Sequence, residues 1–212
     1  SSMTLKRIIL SILTLIVSIE LGTSLITSFG QPQVGNQLQL YQTDLLVQAS
    51  KWEGSGLSPD EVQQFRSALF GEDPFEAIAK QYQEVRKDAT TGLDRLQQQL
   101  AAPEQKPAAS ELATTIQAQQ QLVNQIDLRM GLIEAQTDRV GEAISTWEEL
   151  AQRPGDSAQL ATVLADLWRD PPKIAPSAEP LLEGQLRGWF RYRALKRLYT
   201  VQDAIVRLDK LE

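Results

Sequence analysis

Apolar residues along most of this chain recur three and four positions apart, which is the spacing of one face of an α-helix. The longest such stripe runs through residues 112–133. Its members are Leu112, Ile116, Val123, Ile126, Met130 and Ile133, with Gln119 at the one polar position. No segment sustains the alternation of apolar and polar residues that is typical of β-strands. The pattern therefore predicts an all-α protein of long helices that pack along their apolar faces.

Capping signals and proline-rich breaks mark where the helices of the first half begin and end. Residues 38–49 form an amphipathic stretch that is followed by two glycines. Ser58-Pro-Asp-Glu61 and Asp73-Pro-Phe-Glu76 each place a capping residue before a proline, with a glutamate three positions after the cap. The second signal opens a long helix toward Leu100, and residues 101–110 form a polar, Pro- and Ala-rich linker.

The end of the long stripe belongs to a helical hairpin that turns at residues 136–139. Gly131, Ala143 and Trp147 resemble the packing positions of a tetratricopeptide (TPR) unit. Such a unit has a small residue where two helices cross, an alanine at the close contact and an aromatic ring on the inner face. The sequence holds one such unit, whereas stable TPR arrays need about three. An ordinary antiparallel hairpin is therefore an equal alternative.

A catalytic-looking motif lies in the second helix of this hairpin. Within TWEELAQR, the residues Glu148, Glu149 and Arg153 spell the E-E-x-x-x-R pattern of an intramembrane metalloprotease active site. If Ala143 and Trp147 point inward, these three residues lie on the outer side, where Glu149 and Arg153 form an i,i+4 pair. The segment is also too polar to span a membrane. We therefore interpret the motif as a solvated helix face.

The longest apolar run lies within the first thirty residues. Residues 8–29 follow Lys6 and Arg7 and are 22 residues long, close to the ~20 that span a bilayer core. Basic residues before the run and none directly after it predict a cytoplasmic N-terminus and an exported remainder. The predicted organisation is a membrane anchor over residues 1–30 and an extramembrane helical domain over residues 31–212.

A carboxylate interrupts this apolar run and leaves its role open. Inside a membrane, Glu20 would face a polar or basic group of a partner helix. A protonated side chain without a role, or the end of a signal sequence, explains it equally well. The alternative to an anchor is a cleaved signal peptide with its apolar region at residues 8–19 and small residues such as Gly22 and Ser24 at the cut.

After the hairpin, residues 157–168 predict a further helix, residues 170–180 a break, and residues from about Leu181 onward a final helical region. This last region carries a basic surface patch interleaved with aromatic residues. The basic members are Arg187, Arg191, Arg193, Lys196 and Arg197, and the aromatic ones are Trp189, Phe190, Tyr192 and Tyr199. The patch fits ordinary packing with a solvated face, a membrane surface or a nucleic acid, and the predicted export disfavours the last of these.

Composition narrows the chemistry further. The 212 residues contain no cysteine and no histidine, which removes the main zinc ligands and the commonest general base. For these residues we therefore predict no metal site, no cofactor and no enzymatic activity. A net charge of −6 weighs against nucleic acid as a partner.

A family resemblance lies in three stretches, which read MTLKRIILSILTLIVS, QPQVGNQLQLYQTDLLVQASKW and GWFRYRALKRLYTVQ. They resemble the N-terminal region of the cyanobacterial CPBP family, the CAAX prenyl protease-like intramembrane metalloproteases. In that family one membrane helix is followed by a helical extramembrane domain and then by a multi-span protease core. The family's active site needs a glutamate pair with arginine in a membrane helix and histidines in later ones. None of its catalytic residues has a counterpart in this chain.

The resemblance implies either a piece of such a protease that ends before its second span or a stand-alone relative without the protease. In the first case the chain is a non-catalytic domain that binds or gates substrates or partner proteins. In the second it is a membrane-anchored, TPR-like scaffold that recruits a partner. Both place the main domain on the periplasmic or thylakoid-lumenal side. Both also imply contacts with membrane lipid and with a partner protein or a downstream protease core.

Overall fold

The computed structural model describes residues 32–50, 58–70, 74–102 and 109–210. These ranges contain eight α-helices and no strand, which confirms the predicted all-α class. The helices are α1 (Pro32–Ser50), α2 (Pro59–Phe70), α3 (Pro74–Ala101), α4 (Ala109–Gln136), α5 (Val140–Ala151), α6 (Ser157–Trp168), α7 (Ala178–Gln185) and α8 (Gly188–Asp209). No helix within the described ranges is long and apolar enough to cross a membrane. The predicted span at residues 8–29, including Glu20, lies outside them.

The chain divides into two compact units, Ser1–Gln119 and Gln120–Glu212. The boundary falls inside the continuous helix α4, so the sequence offers no break there. In the first unit, α1 and α2 both pack against α3. The buried side chains of α3 include Ile78, Tyr82, Val85, Ala89 and Leu93, whose three- and four-residue spacing forms one helix face.

Two features noted in the sequence, the capping signal at Ser58 and the polar position at Gln119, form specific hydrogen bonds in the first unit. Ser58 and Glu61 form a reciprocal capping box at the start of α2: the Glu61 N–H donates to Ser58 Oγ at 3.3 Å and the Ser58 N–H donates to the Glu61 carboxylate at 2.9 Å. Gln119, the polar position of the apolar stripe, is buried, and its Nε2 donates to the Ala89 carbonyl at 2.9 Å. Gln119 therefore belongs to the core.

The second unit contains the rest of α4 together with α5 to α8. Within it α5 packs on α6, while α6 also contacts α7 and α8, and α7 packs on α8. Its fully buried side chains include Trp147, Leu150, Leu160, Leu164 and Leu182. Large apolar groups from several helices therefore meet in one core.

The final helical region differs from the prediction of a single segment from about Leu181. Two helices, α7 and α8, occupy it. Between them Leu186 and Arg187 are extended, and Gly188 has a φ of 54°, in the left-handed region that glycine adopts readily. The chain direction therefore changes at the start of the basic and aromatic segment.

Candidate functional site

The hairpin of α4 and α5 is organised around a close approach of Gly131 and Trp147. A Cβ added at Gly131 would lie 2.3 Å from Nε1 and 2.5 Å from Cε2 of the indole, far inside van der Waals contact. Trp147 is fully buried, and its Nε1 donates to the Leu128 carbonyl at 3.3 Å. The glycine therefore lets the ring reach the backbone of α4.

The buried face of α5 continues on both sides of this contact. Ala143, one turn before Trp147, is fully buried, and so is Leu150. The Trp147 ring lies against Trp168 of α6 with 5.3 Å between ring centroids and an interplanar angle of 50°. Of the three residues of the TPR-like interpretation, Gly131 and Trp147 are thus in contact and Ala143 is buried on the same face of α5 as the indole. Other helical hairpins have such a crossing, so the TPR-like unit itself stays a prediction.

The three charged residues of the E-E-x-x-x-R motif take part in two different ion pairs. Glu148 and Glu149 are exposed, with 51% and 72% of their side-chain surface accessible. Glu148 forms an ion pair with Arg169 at 2.7 Å, and Glu149 one with Arg153 at 2.7 Å. Both glutamates of the motif therefore lie on the exposed face of α5, and each forms an ion pair with an arginine.

Arg153 departs from the predicted solvated position. Its side chain is only 20% exposed, and Nη1 lies 2.5 Å from Oδ2 of Asp127, a carboxylate on α4 that is 4% exposed. The same guanidinium group contacts Asn124 Oδ1 at 3.5 Å. Burial alone would lower the pKa of Arg153, but its hydrogen bonds to Glu149 and Asp127 raise it above the ordinary value. Arg153 therefore ties the end of α5 to α4.

A second polar contact crosses the same hairpin nearer its turn. The Thr146 hydroxyl donates to the carboxylate of Glu134 at 3.2 Å. Burial raises the pKa of Glu134 above its ordinary value, and the hydrogen bond from Thr146 opposes that rise without cancelling it. The carboxylate is thus a half-buried group whose protonation is coupled to folding.

The basic surface patch separates into two groups. Arg187, Arg191 and Lys196 are exposed, and none of them forms an ion pair in the described part of the chain. Tyr192 and Tyr199 are 47% and 43% exposed, and the Lys196 ammonium lies 5.8 Å from the Tyr192 ring centroid. These five residues are called the exposed α8 surface.

Arg193 and Arg197 turn toward α6 instead. Each guanidinium carbon lies 5.8 Å from the ring centroid of Trp168, because the face of an indole attracts cations. Arg197 Nε also donates to the Leu167 carbonyl at 2.9 Å. Two of the five predicted patch residues therefore pack against a neighbouring helix.

The aromatic residues of the patch divide in the same way. Trp189 and Phe190 are buried and meet edge to face, with 5.2 Å between their centroids and an interplanar angle of 80°. The two tyrosines stay outside, where the Tyr199 hydroxyl donates to Glu179 of α7 at 2.6 Å. The apolar rings therefore build the core, and the amphipathic rings remain at the surface.

Sequence reasoning missed Asp127 and Trp168. Asp127 directly follows Ile126 of the apolar stripe, and a carboxylate beside a buried position requires a cationic partner. That signal was readable, but the partner lies 26 positions away in the sequence. Trp168 ends a helix, and nothing in its neighbourhood indicates that two arginines from α8 stack on it.

Among the described residues, no group of three or more His, Cys, Asp or Glu side chains is arranged to hold a metal ion. What their geometry offers is a packed hairpin core and an exposed cationic and aromatic helix surface. No protein-family model, curated protein or solved structure matches the chain. The likeness to the CPBP family therefore rests on the three quoted stretches.

Proposed function

We propose that this chain is a non-catalytic, membrane-anchored helical domain whose helix α8 rests against an anionic membrane surface. We further propose that it belongs to a CPBP-type intramembrane protease, for which it binds or gates substrate or partner proteins. The observation that carries the proposal is the exposed α8 surface. From Arg187 to Arg197 the sequence holds five basic and no acidic residues, in a chain of net charge −6. Three of the five are exposed and form no ion pair with a described residue.

The physical basis is the attraction of these cations to anionic lipid. Each basic residue near such a surface contributes about 1 kcal/mol, and the attraction weakens as salt increases. Tyrosine rings are enriched where membrane meets water because one end of the ring is apolar and the other is wet. Tyr192, Lys196 and Tyr199 lie at i, i+4 and i+7, so they share one helix face.

The five basic residues of the patch outnumber the acidic side chains near its tyrosine end. These are Glu179, which accepts a hydrogen bond from the Tyr199 hydroxyl, Glu183, and Asp203, one turn beyond Tyr199 on α8. In the proposal, residues 8–29 span the membrane and keep the domain at high local concentration beside the lipid. A weak surface attraction is then enough to hold α8 in contact.

A nitroxide label on α8 tests this contact in the full chain. Because the sequence has no cysteine, Thr200→Cys introduces a single thiol at an exposed position one turn after Lys196. The control is Ser145→Cys, which is exposed on α5. Each labelled protein is placed in nanodiscs of neutral or anionic lipid, and collisions of the label with oxygen and with a water-soluble nickel chelate are compared.

We expect lipid contact at position 200 in anionic nanodiscs only, with loss at high salt and no lipid contact at position 145. Combined Arg187→Gln, Arg191→Gln and Lys196→Gln should abolish it. Contact that is equal in neutral and anionic lipid, or that survives the triple substitution, would contradict the proposal.

The crossing at Gly131 and Trp147 supports a second candidate, a stand-alone TPR-like scaffold that recruits a partner protein. The genomic reading frame after Glu212 discriminates between the two. Further membrane spans with histidine and glutamate motifs support the protease domain, whereas an immediate stop codon supports the scaffold.

A further inference from the structure

Two guanidinium groups meet one indole ring at the end of α6. Arg193 and Arg197 both lie 5.8 Å from the ring centroid of Trp168. Arg197 donates from its Nε to the Leu167 carbonyl, and its two terminal nitrogens have no partner among the described residues. Arg193 forms no hydrogen bond with a described residue, although its Nε is buried. Several strong donors at this ring therefore lack an acceptor in the described part of the chain.

No carboxylate among the described residues pairs with either arginine. Burial, and then the neighbouring charge of Arg197, lower the pKa of Arg193 from its ordinary value. The last carbonyls of α6 offer only partial negative charge, and those of Ala165, Asp166 and Leu167 already accept hydrogen bonds. An external anion bound by the terminal nitrogens of the two arginines would therefore reduce the repulsion between them and use donors that no described residue engages.

We propose that Arg193 and Arg197, braced against Trp168, bind a phosphate-class oxyanion. Guanidinium groups form paired hydrogen bonds with such oxygens. Arg193 and Arg197 lie one turn apart on α8 and stack on the same ring, so both guanidinium groups can donate to the oxygens of one tetrahedral anion. The phosphate is either the headgroup of a membrane lipid or free phosphate.

The headgroup source rests on the lipid contact of α8 proposed above, because the arginine pair shares that helix with Lys196. In that case the exposed α8 surface supplies general attraction and the arginine pair supplies a defined seat for one headgroup. The free-phosphate source does not depend on the lipid contact.

The test uses the full chain in detergent, with inorganic phosphate as the probe and potassium chloride of matched ionic strength as the reference. Tryptophan fluorescence reports binding because Trp168 lies against both arginines, and the thermal unfolding midpoint reports the linked stabilisation. Arg193→Gln is the informative variant, since Arg193 makes no hydrogen bond that folding requires. Arg207→Gln removes the same charge from an exposed position of the same helix that lies outside the exposed α8 surface, and it is the matched control.

We expect a saturable fluorescence change with phosphate beyond that with chloride, together with a higher unfolding midpoint. Arg193→Gln should weaken phosphate binding about ten-fold or more, as loss of charge-assisted hydrogen bonds does. Arg207→Gln should change it less than about two-fold, because screened surface charge contributes little. Absence of a phosphate-specific effect in the wild type, or equal weakening by both variants, overturns the proposal. Circular dichroism of each variant establishes that it is folded.

The nanodisc measurement then identifies the source of the phosphate. If Arg193→Gln reduces lipid contact at position 200 and free phosphate competes with that contact, the bound group is a lipid headgroup. If phosphate binds in detergent while lipid contact is independent of Arg193, the site takes free phosphate. Lipid contact without phosphate-specific binding refutes the oxyanion site and leaves the proposed function intact.

Discussion

At Gly131 a single missing carbon sets how closely α4 approaches the ring of Trp147. Gly131→Ala should destabilise the protein by about 1–3 kcal/mol, because the added methyl forces the indole out of place. Trp147→Ala should cost about 3–5 kcal/mol through lost burial and the cavity left behind. In the Trp147→Ala background the clash is gone. There Gly131→Ala should be neutral, or stabilising by up to about 1 kcal/mol, because alanine favours helices.

Urea unfolding of the two single variants and the double variant measures this coupling. Gly141→Ala is the control, since a Cβ at that position meets nothing within 4 Å and the change should stabilise α5 by roughly 0.5–1 kcal/mol. If Gly131→Ala costs the same with and without the indole, the contact does not explain the glycine.

The half-buried Glu134 predicts a pH dependence of stability. Burial raises its folded-state pKa above the ordinary value of 4.5, so the folded protein holds this proton more tightly than the unfolded chain does. Below the ordinary pKa, Glu134 is protonated in both the folded and the unfolded protein, so its burial carries no penalty for a charge. That stability is lost as the pH rises through the raised pKa of the folded state. Glu134→Gln should therefore stabilise the protein at neutral pH and have little effect at pH values below the ordinary pKa.

Unfolding free energies from pH 3 to 8 check this, with Glu84→Gln at an exposed position of α3 as the comparison. A Glu134→Gln effect that is constant over that range would mean that ionisation of this carboxylate is not coupled to folding.

At the scale of the elements, Arg153 links α4 to the end of α5 through Asp127. Arg153→Gln would leave a buried carboxylate without its cation. The loss should be about 2–3 kcal/mol, below the upper range for buried pairs because the guanidinium group is partly exposed. Asp127→Asn added to that variant should recover part of the loss, since the uncompensated charge is then gone.

The matched control is Glu149→Gln, which removes the other ion pair of Arg153. This change, Glu149→Ala and Glu148→Ala should each cost under about 0.5 kcal/mol, because both glutamates are exposed on the helix. Urea unfolding of these variants measures each loss of stability. A cost for Glu149→Gln as large as that for Arg153→Gln would show that the surface pair, and not Asp127, fixes the helix end.

Element positions could be predicted from the sequence where the signal is local, and contacts between elements could not. The capping box places the start of α2 at Pro59, because both partners lie within three residues. The break between α7 and α8 was missed, although Gly188 marked it. The bond from Gln119 to Ala89 joins residues 30 positions apart, so periodicity alone registers Gln119 as a gap in the stripe.

The candidate site follows the same division. Periodicity correctly put Ala143 and Trp147 on a buried face and the two glutamates outside. It could not separate the basic residues of α8, because that separation depends on where Trp168 lies. Arg193 and Arg197 are four residues apart and stack on one ring, whereas Lys196, between them, stays exposed.

At the scale of the whole molecule, the charge pattern predicts a direction across a membrane. Lys6 and Arg7 precede the apolar run at residues 8–29, which favours a cytoplasmic N-terminus and an exported domain. Glu20 weakens the span by about 3 kcal/mol on the insertion scale, so retention of the segment and export of the domain are separate questions. We expect the segment to be retained, because its length matches the bilayer core.

Because the sequence has no cysteine, single introduced thiols can report export of the domain, and sequencing of the same protein can report retention of the segment. Thr4→Cys and Ser145→Cys each introduce a single thiol, and the two positions lie on opposite sides of the predicted span. Each variant is expressed in bacteria, from which spheroplasts are prepared. A membrane-impermeant maleimide should label position 145 in intact spheroplasts and position 4 only after permeabilisation. N-terminal sequencing should recover the chain from its start. A mature N-terminus near residue 25 would exclude the anchor and leave export standing, whereas failure to label position 145 from outside would exclude export itself.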